Sequence, residues 1–258
     1  MHCQRALFMM FAILLLAGCV STTTSGMRNP LKTEEGREQA VDAYVDLGKG
    51  YLRSGTPERA KTPLKKALDI DPDNTDALEA LALVFQYEQE NELAEDYYRR
   101  ALSTTNDPRV LYNYGGFLFE QARYAEAYKQ FELASKDTLY DSRSRVFESL
   151  GITALRLNDP VKAKKFLVKS LRLNRDQPLA LIELAELTYT NKDYLASRDY
   201  YAAYSDLIRQ QDARSLWLGI RLARVFDDRD TAASYTLQLK RLFPASPEYQ
   251  EYLKTGGQ

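Results

Sequence analysis

Small residues recur through this chain at a nearly fixed interval, and that interval limits the fold more than any other feature. Gly48, Ala82, Gly115, Gly151, Ala185 and Gly219 stand 34, 33, 36, 34 and 34 residues apart, each inside a segment with apolar residues at helical spacing. A second series, Ala60, Ala94, Ala127, Ala163, Ser197 and Thr231, follows twelve residues behind with the same gaps. Two such series in step require two helices per unit that cross closely, and six units. A unit of this size cannot bury its apolar face alone, so stacked neighbours must cover it. Pro72, Pro108, Pro178 and Pro244 fall at or near the unit boundaries, where a residue that cannot continue a helix is expected.

The first unit, 41–74, shows the pattern most fully. Tyr44, Leu47, Gly48 and Tyr51 are followed by Ala60, Leu64, Ala67 and Pro72. This resembles the tetratricopeptide repeat, a helix-turn-helix unit with a period of about 34 residues. The resemblance implies an all-α, right-handed superhelical solenoid over 34–258. Its repeats lie near 41–74, 75–107, 108–143, 144–177, 178–211 and 212–246, with a closing helix at 247–254. Gly48 and Ala60 are expected to face each other at the crossing, while Leu47, Tyr51 and Leu64 fill the gaps between helices. Extra residues belong in the turn around "DTLYDSRS". Tyr98 and Tyr201 take aromatic packing positions, and Trp217 in "LWLGI" reads as packing.

The first helix of each unit lines the concave groove of such a solenoid, through its second, fifth, ninth and twelfth positions. Repeat one offers Asp42, Val45, Lys49 and Leu52. Repeat two offers Asp76, Glu79, Leu83 and Gln86, and repeat three Arg109, Tyr112, Gly116 and Phe119. Apolar residues flanked by charges suit a peptide or amphipathic helix laid in a groove. Candidate contacts are therefore Val45, Lys49, Leu52, Leu83, Gln86, Tyr112 and Phe119. Two alternatives stay open: Val45 and Leu83 pack against the next repeat instead, or the groove is used at its other end, where Ile182, Tyr189, Leu216 and Ile220 form a second apolar stretch. A carboxylate clamp of lysine, arginine and asparagine is absent apart from an isolated Asn113.

Chemistry has few residues to draw on. The one histidine is His2 and the two cysteines are Cys3 and Cys19. Without His or free Cys further along, a Ser-His-Asp triad, a Cys-His pair or a His-ligated zinc site has no parts. "DPDNTD", 71–76, lacks the glycine and bidentate glutamate of a calcium loop; it reads as a turn with Asn74 or Thr75 capping a helix. "DDRD", 227–230, reads as a turn with Asp230 near an N-cap. The reading is a non-enzyme with no cofactor, metal or small-molecule substrate. A formal net charge of -1 argues against a nucleic-acid partner.

The N-terminus carries the remaining signal. An apolar run from Ala6 to Ala17 follows Arg5 and ends in Leu16-Ala17-Gly18-Cys19. It falls short of the about 20 residues a membrane-spanning helix needs. It reads as a signal peptide over 1–18, and its end resembles the bacterial lipobox. That resemblance implies lipidation of Cys19, cleavage before it and acylation of the new amino group, with palmitate as the attached chain. An ordinary signal peptide with a chance cysteine is the alternative. Ser21, with Val20 before it, carries no aspartate of the kind that retains lipoproteins in the inner membrane. Residues 19–33 form a polar linker whose coil span is about 20 Å.

Three stretches together resemble the PilF/PilW family of type IV pilus biogenesis and stability lipoproteins: "NPLKTEEGREQAVDAYVDLGKGYL", "YNYGGFLFEQARYAEAY" and "LGIRLARVFDDRDTAASYTLQLKRLFP". The resemblance implies an outer-membrane lipoprotein, anchored in lipid through Cys19 and facing the periplasm, that binds the secretin subunit and promotes its localisation and multimerisation. A general periplasmic scaffold, for outer-membrane barrel assembly or for cell-wall enzymes, is the competing reading, and a cell-wall remodelling enzyme a third.

Overall fold

Thirteen α-helices and one short 3-10 turn, Pro30–Lys32, make up the described part of the chain, residues 30–255 of a computed structural model. No strand occurs among the described residues. The expected signal, Cys19 and the expected linker up to residue 29 lie outside them. The helices pair as antiparallel neighbours: α1 (Glu34–Arg53) with α2 (Pro57–Ile70), α3 (Thr75–Tyr87) with α4 (Asn91–Thr104), and α5 (Pro108–Glu120) with α6 (Tyr124–Ala134). The series continues with α7 (Arg143–Arg156) and α8 (Pro160–Leu173), α9 (Pro178–Thr190) and α10 (Tyr194–Leu207), then α11 (Ala213–Val225) and α12 (Arg229–Leu242). A short α13 (Pro247–Lys254) packs on α11, where Tyr252 meets Trp217 edge-on at 6.3 Å. Six pairs stacked in one direction make an all-α, right-handed superhelical solenoid.

The small residues mark where paired helices come together, though their opposite numbers differ from the expectation. A Cβ on Gly48 would stand 2.5 Å from Leu64 Cγ, one on Gly115 would stand 2.6 Å from the Phe131 ring, and one on Gly151 2.5 Å from Leu167 Cγ. The glycine thus receives the bulky residue four positions beyond the second-helix alanine, one turn along, rather than the alanine itself. Ala60, Ala94, Ala127 and Ala163 are fully buried at the same crossings. Tyr98 is fully buried and Tyr201 nearly so, as their packing role requires. Each hydroxyl has a partner, Gln86 Oε1 at 2.9 Å and Gln211 Oε1 at 2.7 Å, which makes the burial tolerable.

The turn inside each pair follows one design. Gly55, Gln89, Ala122, Asn158, Lys192 and Asp227 have φ between +55° and +72° and stand at equivalent positions. The next residue donates its N–H across the turn, as from Thr56 to Tyr51 O and from Arg123 to Leu118 O, closing the helix end. Only the first of these six positions is glycine.

Helix starts are supplied mainly by acidic and amide side chains. Asn74 caps α3 by accepting from Ala77 N–H at 3.0 Å, and Asp159, Asp193 and Asp212 cap α8, α10 and α11 in the same way. At α12 the cap is Asp228, accepting from Thr231 N–H, and Asp230 sits in the first turn, two residues later than a cap. Pro108 and Pro178 open α5 and α9, because the first helical position needs no N–H. Helix α9 has no side-chain cap of its own; Glu148 of α7 accepts from Ala180 N–H at 3.0 Å instead. The longest connection between pairs, 135–142, takes in the first six residues of "DTLYDSRS", whose last two open α7, and leaves Leu139 90% exposed.

Candidate partner-binding groove

The first helices of successive pairs lie side by side, so residues one repeat apart in sequence touch. Lys49 Nζ meets Asp76 at 2.7 Å. Arg109 reaches back from α5 to pair with both Asp76 and Glu79, and Asn113 Nδ2 donates to Glu79 at 2.7 Å. Gln86 Nε2 donates to Glu120 at 2.7 Å. Glu79 is 2% exposed, so its two partners are what make a carboxylate tenable there. Burial opposes the charge on Asp76, but hydrogen bonds and charge from Lys49 and Arg109 outweigh it and hold the carboxyl below its usual range. Asn113, isolated in the sequence, is a bracket for this buried acid.

The groove candidates divide by how much surface they offer. Val45 is 5% exposed and belongs to the core, so it presents no free side chain. Leu52, Leu83, Tyr112 and Phe119 are half-buried, packed on the core beneath them. The Tyr112 ring leans on Phe131 at 5.7 Å, and Phe119 meets Tyr124 edge-on at 5.1 Å. Gln86 is committed at both ends, to Tyr98 and to Glu120. A Cβ on Gly116 would meet nothing within 4 Å, so the groove is open at that point.

The other end of the groove is built differently. Ile182 is 5% exposed, and Leu216 and Ile220 are fully buried. Three of the four apolar residues there are core. Tyr189 keeps some surface but is covered by Arg221, whose guanidinium lies 4.6 Å above its ring while pairing with Glu186 at 2.9 Å. Arg214 holds Glu183 through two bonds, at 2.7 and 2.9 Å.

One apolar surface went unrecognised in the sequence. Leu47 was expected in a gap between helices, yet it is 48% exposed. It shares an open depression with Tyr44, Tyr51, Arg59, Pro63 and Lys66 at the first end of the solenoid. Arg59 lies 4.4 Å over Tyr51 and Lys66 5.5 Å over Tyr44, framing the aromatic rings with cations. The equivalent residues of later repeats, Leu81, Leu150, Leu184 and Leu218, are fully buried; among the described residues no repeat precedes the first to cover Leu47.

Helix pairs, a charged groove and an open first face define a scaffold of the tetratricopeptide class, and the repeat's sequence profile matches residues 41–84. No helix among the described residues is long and apolar enough to cross a membrane. The type IV pilus assembly protein PilF of Pseudomonas aeruginosa is 56% identical over 252 residues, covering 96% of this chain and 97% of that protein. A solved structure from the functional characterization of Pseudomonas aeruginosa PilF matches with a TM-score of 0.82 at 56% identity, over 85% of this chain and 99% of that one. The crystal structure of PilW, described as a widely conserved type IV pilus biogenesis factor, matches with a TM-score of 0.71 at 28% identity, over 83% and 99%. The chain belongs to the PilF family of type IV pilus assembly proteins. It is a non-catalytic scaffold.

Proposed function

We propose that this chain is an outer-membrane lipoprotein, anchored through acylated Cys19 and facing the periplasm, that binds the pilus secretin subunit and promotes its localisation and multimerisation. The observation that carries the reading is identity to PilF sustained over nearly the whole of both chains. The structure supports it with a surface suited to a peptide or amphipathic helix: half-buried Leu52, Leu83, Tyr112 and Phe119 in the groove, open space at Gly116, and exposed Leu47 at the adjoining end.

A deletion strain scored for heat-stable secretin multimers and surface pili tests the proposal. Both should be lost and restored by the wild-type chain, while Cys19→Ala should leave the protein outside the outer-membrane fraction and restore multimers poorly. Intact multimers in the deletion strain would overturn the secretin role. Co-purification of barrel-assembly or cell-wall proteins without secretin would then favour the general scaffold.

A further inference from the structure

Helix α8 is the most one-sidedly charged element of the chain. Over Pro160–Leu173 it carries Lys162, Lys164, Lys165, Lys169 and Arg172 and no acidic residue, in a protein whose overall charge is near zero. Lys162 is paired with Asp159 at 3.0 Å. The other four are exposed, and none of them forms an ion pair among the described residues. They share one face with exposed aliphatic side chains: Val161 is 79% and Leu173 48% exposed, at helical spacings of three and four from the cations. The buried face of the helix is Ala163, Leu167 and Ser170, so exposed Lys164, Lys165 and Arg172 point away from the core, while Lys169, also exposed, leans toward α7. Lys169 lies 4.0 Å over Phe147, with Arg143 beside the same ring at 5.4 Å; burial and the positive charges of Arg143 and Lys165 lower its pKa. Keeping this many unneutralised cations together is unfavourable in the free protein, and an anionic surface relieves it.

We infer that the exposed face of α8 rests on a bilayer surface carrying anionic phospholipid, with Lys164, Lys165, Lys169 and Arg172 against the headgroups and Val161 and Leu173 at the headgroup boundary. Interleaved cations and aliphatics on one helix face are the composition of an interfacial helix. The stripe lies on a second helix of its pair, outside the groove, and offers no walls to enclose a peptide. Contact there leaves the groove of the first repeats free, so lipid and protein partners bind together. The inference stands on the charge of α8 and needs no acyl anchor.

The test uses the chain from residue 19 with Cys19→Ala, which retains every described contact but lacks the signal and the acyl groups. It is sedimented with vesicles of phosphatidylglycerol and phosphatidylethanolamine, and with vesicles of phosphatidylcholine alone. Binding to the anionic vesicles alone, reversed by high salt, is expected. Each cation near such a surface raises partitioning roughly fivefold. The combined variant Lys164→Glu, Lys165→Glu, Lys169→Glu and Arg172→Glu should therefore lose at least tenfold. Lys65→Glu with Lys66→Glu on α2 should change it little. Helicity and melting temperature are compared first, and the four glutamine substitutions serve if the glutamates disturb folding. Absence of vesicle binding, or equal binding by the α8 variant, overturns the inference; so does preferential capture of poly-glutamate, which would assign the stripe to an acidic protein. No secretin enters the assay, so its failure leaves the proposed function untouched.

Discussion

Glu148, on α7, caps the neighbouring repeat by accepting a hydrogen bond from Ala180 N–H at the start of α9. Burial raises its pKa, against the lowering effect of that bond and of Arg145. The folded chain therefore holds a proton on Glu148 more readily than the unfolded chain, and this group's contribution to stability falls as pH rises above about 4.3, the ordinary glutamate value. Glu148→Gln keeps an acceptor and removes the charge; it should flatten that fall in urea titrations at pH 4.5 and 7. Glu148→Ala should cost about 1 kcal/mol through the lost cap.

Two glycines in the helices predict opposite outcomes. Gly48→Ala drives a Cβ into Leu64 and should lower stability by roughly 1–3 kcal/mol. Gly116→Ala meets open space in a helix interior and should gain up to about 1 kcal/mol. Thermal melts of the two variants decide the matter; equal effects would contradict the close crossing at Gly48.

The left-handed turns give a third comparison. Ala122 carries φ of +57°, a conformation that costs a side chain roughly 1 kcal/mol relative to glycine. Ala122→Gly should therefore raise the melting temperature slightly, and Gly55→Ala, at φ +72°, should lower it.

Arg109 neutralises buried Glu79, so Arg109→Ala should cost about 3–5 kcal/mol, and replacing both residues by leucine should recover much of the loss. Asp76 works in the opposite pH sense to Glu148. Its depressed pKa means that its contribution is complete above about pH 4 and is lost as pH falls through the folded value. Arg109→Ala should weaken that acid dependence, read as melting temperature against pH.

Binding is tested by charge placed on the open surface. Leu47→Glu, Leu52→Glu and Leu83→Glu should each weaken secretin binding at least tenfold, since burial of one large apolar side chain contributes about 1.5–3 kcal/mol. Gly116→Leu should fill the groove and weaken binding with little loss of helix. The matched control is Tyr189→Glu, because the other apolar residues of that end are core. If only the control fails, the partner uses the far end.

The repeat register was legible because small residues, among them those at 48, 60, 115, 127, 151 and 163, recur where paired helices cross. The left-handed turns were not, since Gln89, Lys192 and Asp227 carry no sign of their conformation. The groove pairs had a signal that was not used: Asp76 and Arg109, or Glu79 and Asn113, stand one period apart, and that separation places them on adjacent first helices. Leu47 misled because its equivalents in later repeats are buried, whereas no repeat precedes the first among the described residues. Val45 falls on the packing side of the alternative its sequence left open, and Leu216 and Ile220 of the rival stretch are core, because apolar periodicity alone does not separate a groove wall from the core beneath it.

Helix α12 contributes one buried side chain, Leu239, and α13 none. A linear stack made mainly of nearest-neighbour interfaces opens where its last interface is thinnest. During synthesis the ribosome delivers the first repeats before the last, so each later pair docks on a template already in place. The molecule thus assembles from its best-formed joints toward its loosest, and thermal breathing runs the same sequence in reverse, starting at the C-terminal pair and leaving the first repeats intact.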